Sequence, residues 1–205
     1  MVGYPKFFPK AYGLKTQEEI NNLYDEWAES YDLEVAENGY VSPARTAIAL
    51  SQFLSADASI FDIGCGTGLS GVALRNAGFT NIHGSEINPS MLENAKKTNV
   101  YNSLRLGEID TPFPDPLGTH EAIVAIGVIG AGAGPASLMG EALSALKTGG
   151  LLAFSLNDAA MSQEPCKQEL MRVIGDNLAT ELFSEYGPHL STINVGSTVY
   201  VLRRS

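Results

Sequence analysis

The sequence predicts an α/β protein built on a mostly parallel seven-stranded sheet, with helices on both faces and a helical segment ahead of it. Three observations carry that prediction. From residue 59 onward, short apolar runs alternate with amphipathic segments, the pattern of βαβ units feeding a parallel sheet. Glycines cluster where a strand hands over to a helix, in "SIFDIGCGTGLSG" at 59–71. Ahead of residue 59 no segment alternates with period two, and the apolar residues recur at helical spacing instead.

Taken in order, "TQEEINNLYDEWAESYD" reads as a helix capped by Thr16, with Glu19 completing a capping box. Ile20, Leu23, Tyr24, Trp27 and Tyr31 form its apolar face, and Asp25, Glu26 and Glu29 its solvated one. "SPARTAIALSQFL" starts a second helix, with Ser42 as cap and Pro43 at the first helical position. Strands follow near 59–63, 81–86, 103–107, 121–126, 150–157, 180–186 and 195–203. Helices fall near 68–77, 89–99, 135–147 and 163–177. Asn88 followed by Pro89 starts one of them, and "TGG" at 148–150 ends another. With no internal repeat or linker, residues 1–205 read as one domain, divided into a helical segment at 1–55 and a core at 56–205.

Composition limits the function. The chain has 205 residues, 44% of them hydrophobic, and 13 Lys plus Arg against 23 Asp plus Glu, for a formal net charge of -10. A nucleic-acid or anionic-membrane partner needs a positive face, so neither is expected. Two cysteines, Cys65 and Cys166, do not make a disulfide framework, which fits a reducing, cytoplasmic location. "MVGYPKFFPKAYGLK" lacks the apolar core of a signal peptide. The uncharged stretch at 122–139 has a second half of Gly, Ala, Ser and Pro, which suits a loop better than a membrane span.

The glycine turn narrows the ligand. Its glycines fall at 64, 66 and 68, with Leu69 where a dinucleotide-binding turn would place its third small residue. The Gly-Lys-Ser/Thr ending of a phosphate loop does not follow. Asp62, two residues before the first glycine, has no use in binding a pyrophosphate. A carboxylate beside bare backbone suits a ligand that carries an ammonium group.

The motif Asp62, Gly64, Gly66, Gly68 resembles the first motif of the class I S-adenosylmethionine-dependent methyltransferases, and the resemblance runs over residues 20 to 204. It implies a Rossmann-like three-layer sandwich with an antiparallel last strand, and contacts to the cofactor from the turn residues Gly64, Cys65, Gly66, Thr67 and Gly68 together with Asp62. "GSEINPSML" is similar to the second motif, in which Glu86 would hold the ribose hydroxyls and Ile87 would pack on the adenine, with Met91 packing beneath. Glu86 stands 22 residues after Gly64, one βαβ step. "LGEID" resembles the third motif, with Glu108 where the family usually has Asp and the Ile109 backbone beside it. In "AIGVIG", Gly127 and Val128 would pass under the methionine part. The leader "YDEWAESYDLEVAENGYVSP" is similar to that of the methyltransferase-like proteins of the Williams–Beuren region; it would form a lid over the cofactor, with Tyr31 near the methionine carboxylate.

The resemblance implies an enzyme that moves a methyl group from S-adenosylmethionine to a small-molecule acceptor, leaving S-adenosylhomocysteine. Two rivals stand beside it: a non-catalytic binder of the same cofactor, and a nicotinamide-dependent oxidoreductase. His83 and His120 belong at the amino-terminal edge of the sheet, away from a ligand crevice. His189 is expected in the loop between the last two strands, on the ligand side, and is the candidate general base. No metal ligand set is expected, and oligomeric state is not legible.

Overall fold

The structure, a computed structural model, describes residues 17–28, 30–113, 115–130 and 132–205. Three helices come first: α1 (Gln17–Trp27), α2 (Tyr31–Glu37) and α3 (Ser42–Ser51). The single leading helix expected from the sequence is two, because the chain turns after Ala28 and Tyr31 opens α2. Their apolar residues still meet: Leu23, Trp27 and Val35 bury together, with Tyr24, Tyr31 and Tyr40 packed against them. Trp27 anchors the group at 2% exposure, its ring stacked on Tyr24 and meeting Tyr31 edge-on. The expected cap Thr16, the side chain of Ile20, and Glu29 lie outside the described residues.

Ser42 is not the cap expected of it. It lies inside α3 behind Val41, and its hydroxyl sits 2.8 Å from His189 Nδ1 and 2.9 Å from Ser197 Oγ. A buried hydroxyl must be satisfied, and these long-range partners replace the local backbone N–H that a cap would take.

The strands are β1 (Ser59–Ile63), β2 (Asn81–Glu86), β3 (Ser103–Leu106), β4 (His120–Ile126), β5 (Leu146–Asn157), β6 (Ala179–Leu190) and β7 (Val195–Arg204). Between them run α4 (Leu69–Asn76), α5 (Pro89–Lys97), α6 (Leu138–Ala145), α7 (Asp158–Ser162) and α8 (Glu164–Gly175). The sheet order is β3-β2-β1-β4-β5-β7-β6. β1 to β5 are parallel, and β7 runs antiparallel to both β5 and β6. Period two divides the core. Ile60, Ala122, Val124 and Leu151 face α3 and α4, whereas Phe61, Ile123, Ala125 and Leu152 face α6 and α8, which gives a three-layer Rossmann-like sandwich. The uncharged stretch at 122–139 divides among β4, a loop and the start of α6.

Two strands are longer than expected. β5 begins at Leu146, not 150: its pairing with β4 jumps from His120↔Leu146 to Ala122↔Leu151, so "TGG" forms an irregular excursion within the strand instead of ending α6. β6 runs past Gly187 and Pro188 to Leu190, with a register shift at Pro188. As the edge strand of the sheet, it tolerates a proline that donates no hydrogen bond.

Candidate functional site

In this strand order the connections reverse direction between β1 and β4, and open α/β sheets bind ligands outside the carboxyl ends of the strands at such a point. A cleft opens there. Its floor is the glycine turn after β1, the end of β2 at Glu86 and Ile87, the residues Gly107, Glu108 and Ile109 after β3, and Ile126, Gly127 and Val128 at the end of β4. Its roof is Tyr24, Tyr31 and Tyr40 from the three leading segments.

The turn takes its shape from backbone that only glycine adopts without strain. Gly64, Gly66 and Gly68 have φ of +63°, +56° and +98°. At Gly64 a Cβ would fall 2.5 Å from Val128 Cγ1, whereas at Gly66 it would meet nothing within 4 Å. The first glycine therefore lets the β4 end close in, and the second leaves its backbone open to a ligand. Gly68 sits deeper, against Ala95 and Thr98, as the residue before α4.

Glu86 is the charged centre. Its carboxylate accepts backbone N–H groups, on Oε2 from Gly66 at 2.8 Å and on Oε1 from Asn88 at 2.8 Å, with the Ile87 N–H adding to them. Burial raises its pKa and the backbone donors pull it back, so the group is buried yet held in a fixed orientation. Asn88 caps α5 by accepting from Met91 N, as its position before Pro89 predicts, and Met91 is buried at 2% exposure.

The leading helices are fastened over this floor by polar contacts. Thr67 Oγ1 donates to Asp32 Oδ1 at 2.5 Å, Asn88 Nδ2 donates to Asp25 Oδ1 at 2.8 Å, and Asn94 Nδ2 donates to the Ala28 carbonyl at 2.9 Å. Asp25, expected to be merely solvated, thus ties α1 to the cap of α5. Burial, with Tyr40 and Tyr24 adding to it, keeps the Tyr31 phenol well above its ordinary pKa, so it is a neutral hydrogen-bonding group at physiological pH. The Cys65 thiol is likewise pushed up, first by burial and then by Asp62 and Glu86, and is no nucleophile.

Of the cofactor-contact residues expected from the sequence, Tyr31, Gly64, Cys65, Gly66, Thr67, Glu86, Ile87, Met91, Glu108, Ile109, Gly127 and Val128 line one cleft. Asp62 and Gly68 do not. Asp62 is 1% exposed and lies just behind the lining: Ser70 Oγ, a lining residue, at 2.5 Å and Tyr101 Oη at 2.7 Å both donate to its Oδ2. Its Oδ1 is buried with no hydrogen-bond partner among the described residues. Burial pushes its pKa up to about 7, against the pull of the two hydroxyls.

His189 is also displaced from its expected place. It lies in β6, buried at 5% exposure, with Nδ1 on Ser42 and its ring edge-on to Tyr40 at 5.1 Å. The loop position expected for it is lost because β6 continues to Leu190. Tyr40 and not His189 reaches the cleft. Burial lowers the His189 pKa to about 4, with Asp158 opposing, which leaves it neutral.

Sequence reasoning missed Tyr40 and Tyr101. Tyr40 is held by an isolated bridge to Leu190, and Tyr101 Oη both donates to Asp62 and accepts from Gly71 N at 3.0 Å. The one signal for Tyr101 was glycine opposite its ring, since a Cβ at Gly71 would collide with that ring and one at Gly84 would approach it to 3.0 Å.

Comparison with known proteins agrees with the topology. Residues 61–154 match the family model described as a methyltransferase domain. Human methyltransferase-like protein 27 is 36% identical over 146 residues, which cover 69% of this chain and 59% of the relative, so the chain spans about six-tenths of that relative's length. A bovine 18S rRNA (guanine-N(7))-methyltransferase is 36% identical over 70 residues, 34% of this chain and 25% of the relative. Among solved structures, magnesium protoporphyrin IX methyltransferase from Synechocystis PCC 6803, with bound SAH, superposes with a TM-score of 0.63 at 14% identity, covering 91% of this chain and all of that one.

Proposed function

From the match of residues 61–154 to a methyltransferase domain and the likeness to human methyltransferase-like protein 27, we propose that this chain is a class I S-adenosylmethionine-dependent methyltransferase and transfers the methyl group to a small-molecule acceptor. The observation that carries this reading is the pairing of Glu86 with the open backbone of Gly66 in one cleft. A carboxylate held in a fixed orientation at the cleft fits two vicinal ribose hydroxyls as an acceptor, and the uncrowded turn beside it fits a ligand that approaches bare backbone. Glu86 and Ile87 hold the nucleoside end, with Glu108 and Ile109 flanking it. Gly64, Cys65, Gly66, Thr67, Gly127 and Val128 run beneath the amino-acid end, and Tyr31 covers it.

When bound, S-adenosylmethionine supplies a carbon already activated by its sulfonium. The chain supplies position. Its turn and its tyrosine roof fix the approach of the acceptor and exclude water, and alignment of this kind contributes up to roughly 7–11 kcal/mol. Residues 1–55 act as a lid and residues 56–205 as the core in this reading. The buried free thiols Cys65 and Cys166 suit a reducing compartment. A small acceptor is favoured over RNA by the formal net charge of -10 and by a roof that closes the cleft down to a tyrosine-lined space.

The test is methyl transfer from radiolabelled S-adenosylmethionine, run in parallel into a metabolite extract and into total RNA. Label in a small-molecule fraction supports the reading. Label in RNA alone overturns the acceptor class, and no label in either, with S-adenosylhomocysteine still bound, makes the chain a cofactor-binding protein.

A further inference from the structure

The cleft says more about the acceptor than its size. Tyr24, Tyr31 and Tyr40 come from three successive segments and converge on one side of it, and Val128, Pro135 and Leu138 line another part. The tyrosine wall is anchored. Tyr24 and Tyr31 lie 6.5 Å apart, centroid to centroid, each in contact with the buried Trp27, while Tyr40 is pinned by its bridge to Leu190 and by the His189 ring. An anchored aromatic wall in the same cleft as aliphatic side chains favours a flat, apolar ring.

The charge of the cleft has one sign. Among the described residues that line it, the ionisable groups are the Glu86 and Glu108 carboxyls, three phenols and the Cys65 thiol, so whatever charge they carry is negative. Aromatic faces add to this, because their quadrupoles attract cations. Glu108 stands past the end of β3, three strand spacings from β4, or roughly 14 Å. It is therefore remote from an acceptor beside Val128. A cleft of this kind favours positive charge before the reaction and after it.

We propose that the acceptor is a planar aromatic molecule with an uncharged ring nitrogen as nucleophile, seated against Tyr24 and Tyr40 in the part of the cleft that Pro135 and Leu138 also line. The inference rests on the methyltransferase reading. In the step it implies, the nitrogen lone pair forms the new C–N bond, the C–S bond breaks with its electrons returning to sulfur, and the positive charge passes to the acceptor as an N-methyl cation. No proton is released. The charge stays among the same phenol faces, which attract a cation, whereas transfer to an anionic acceptor would leave a neutral product without that attraction.

The test is calorimetric titration of the S-adenosylhomocysteine-loaded protein with N-methylquinolinium, quinoline and 1-naphthoate, which share a bicyclic shape and differ in charge. N-methylquinolinium is expected to bind at least tenfold more tightly than 1-naphthoate, about 1.4 kcal/mol. Tyr40→Leu and, from a different segment, Tyr24→Leu are each expected to weaken N-methylquinolinium at least threefold, with a cooperative thermal unfolding transition as the check that the variant is folded. Equal or tighter binding of 1-naphthoate, binding of none of the three probes, or unchanged N-methylquinolinium binding in both folded variants overturns the proposal. If S-adenosylhomocysteine itself does not bind the unaltered protein, the methyltransferase reading fails first and takes this inference with it.

Discussion

Two buried polar clusters flank the cleft, and they respond to acid in opposite ways. Beneath the glycine turn, Asp62 takes the hydroxyls of Ser70 and Tyr101 on one oxygen. Beneath the tyrosine roof, His189 meets Ser42, which meets Ser197, which in turn accepts from Arg45 Nη1 at 3.2 Å. Both titratable groups are buried and both are driven toward their neutral forms, Asp62 up to about 7 and His189 down to about 4. Burial penalises whichever form is charged, so the same physical cause acts with opposite sign on an acid and a base.

The consequence is a compensation in stability. In the native state Asp62 keeps a proton that the unfolded chain releases above the ordinary 3.8, so its contribution falls as pH rises from about 4 to about 7. His189 in the unfolded chain takes up a proton below 6.5 that the native state refuses until about 4, so its contribution is complete above 6.5 and is lost as pH falls toward 4. Between about 4 and 6.5 the two slopes oppose each other.

Breaking the acid side gives the largest effect. Asp62→Asn keeps an oxygen for both hydroxyls but removes the titration, and its stability relative to the unaltered chain should rise by about 4 kcal/mol between pH 4 and pH 7, measured by urea unfolding across that range. Breaking the base side is next. His189→Asn should remove the opposing limb, so its relative stability should fall by about 3 kcal/mol on going from pH 4 to pH 6.5. A difference curve that is flat for either variant would mean that the group titrates normally in the folded chain.

A smaller effect sharpens the comparison without removing either titrating group. Tyr101→Phe leaves the ring beside Gly71 and Gly84 but takes one hydroxyl from Asp62, and should cost about 1–3 kcal/mol in thermal or urea unfolding at pH 7. Since that hydroxyl stabilises the charged carboxylate, the Asp62 limb should also move to higher pH, which a purely structural loss would not produce.

The fold was largely legible because its signals are local. The short apolar runs of β1 and β4, buried on both faces, Asn88 before Pro89, and the glycines at 64, 66 and 68 each act through neighbours in sequence, and each takes the form that local chemistry predicts. The cleft was legible through the resemblance of its motifs to the family's, with Glu86 one βαβ step after the turn as that resemblance requires. What sequence reasoning misplaced depends on distant partners. Asp62 was expected to face the ligand; it lies behind the lining, with one oxygen held by Tyr101, 39 residues away, and the other without a hydrogen-bond partner among the described residues. Ser42 was expected to cap a helix, but its hydroxyl is captured by His189, 147 residues away. The same capture removes His189 from the list of bases, together with the four further residues of strand, 187–190, that carry β6 through Pro188 to Leu190.

The cofactor assignment is the centre of the account, and calorimetric titration of the unaltered chain and of Glu86→Ala with S-adenosylmethionine tests it most directly. The unaltered chain is expected to bind, and Glu86→Ala to bind more weakly by about 1.5–3 kcal/mol, roughly tenfold to a hundredfold, because the ribose hydroxyls lose a charged acceptor. Binding of NADH with none of S-adenosylmethionine, or equal affinity in the two chains, would contradict it.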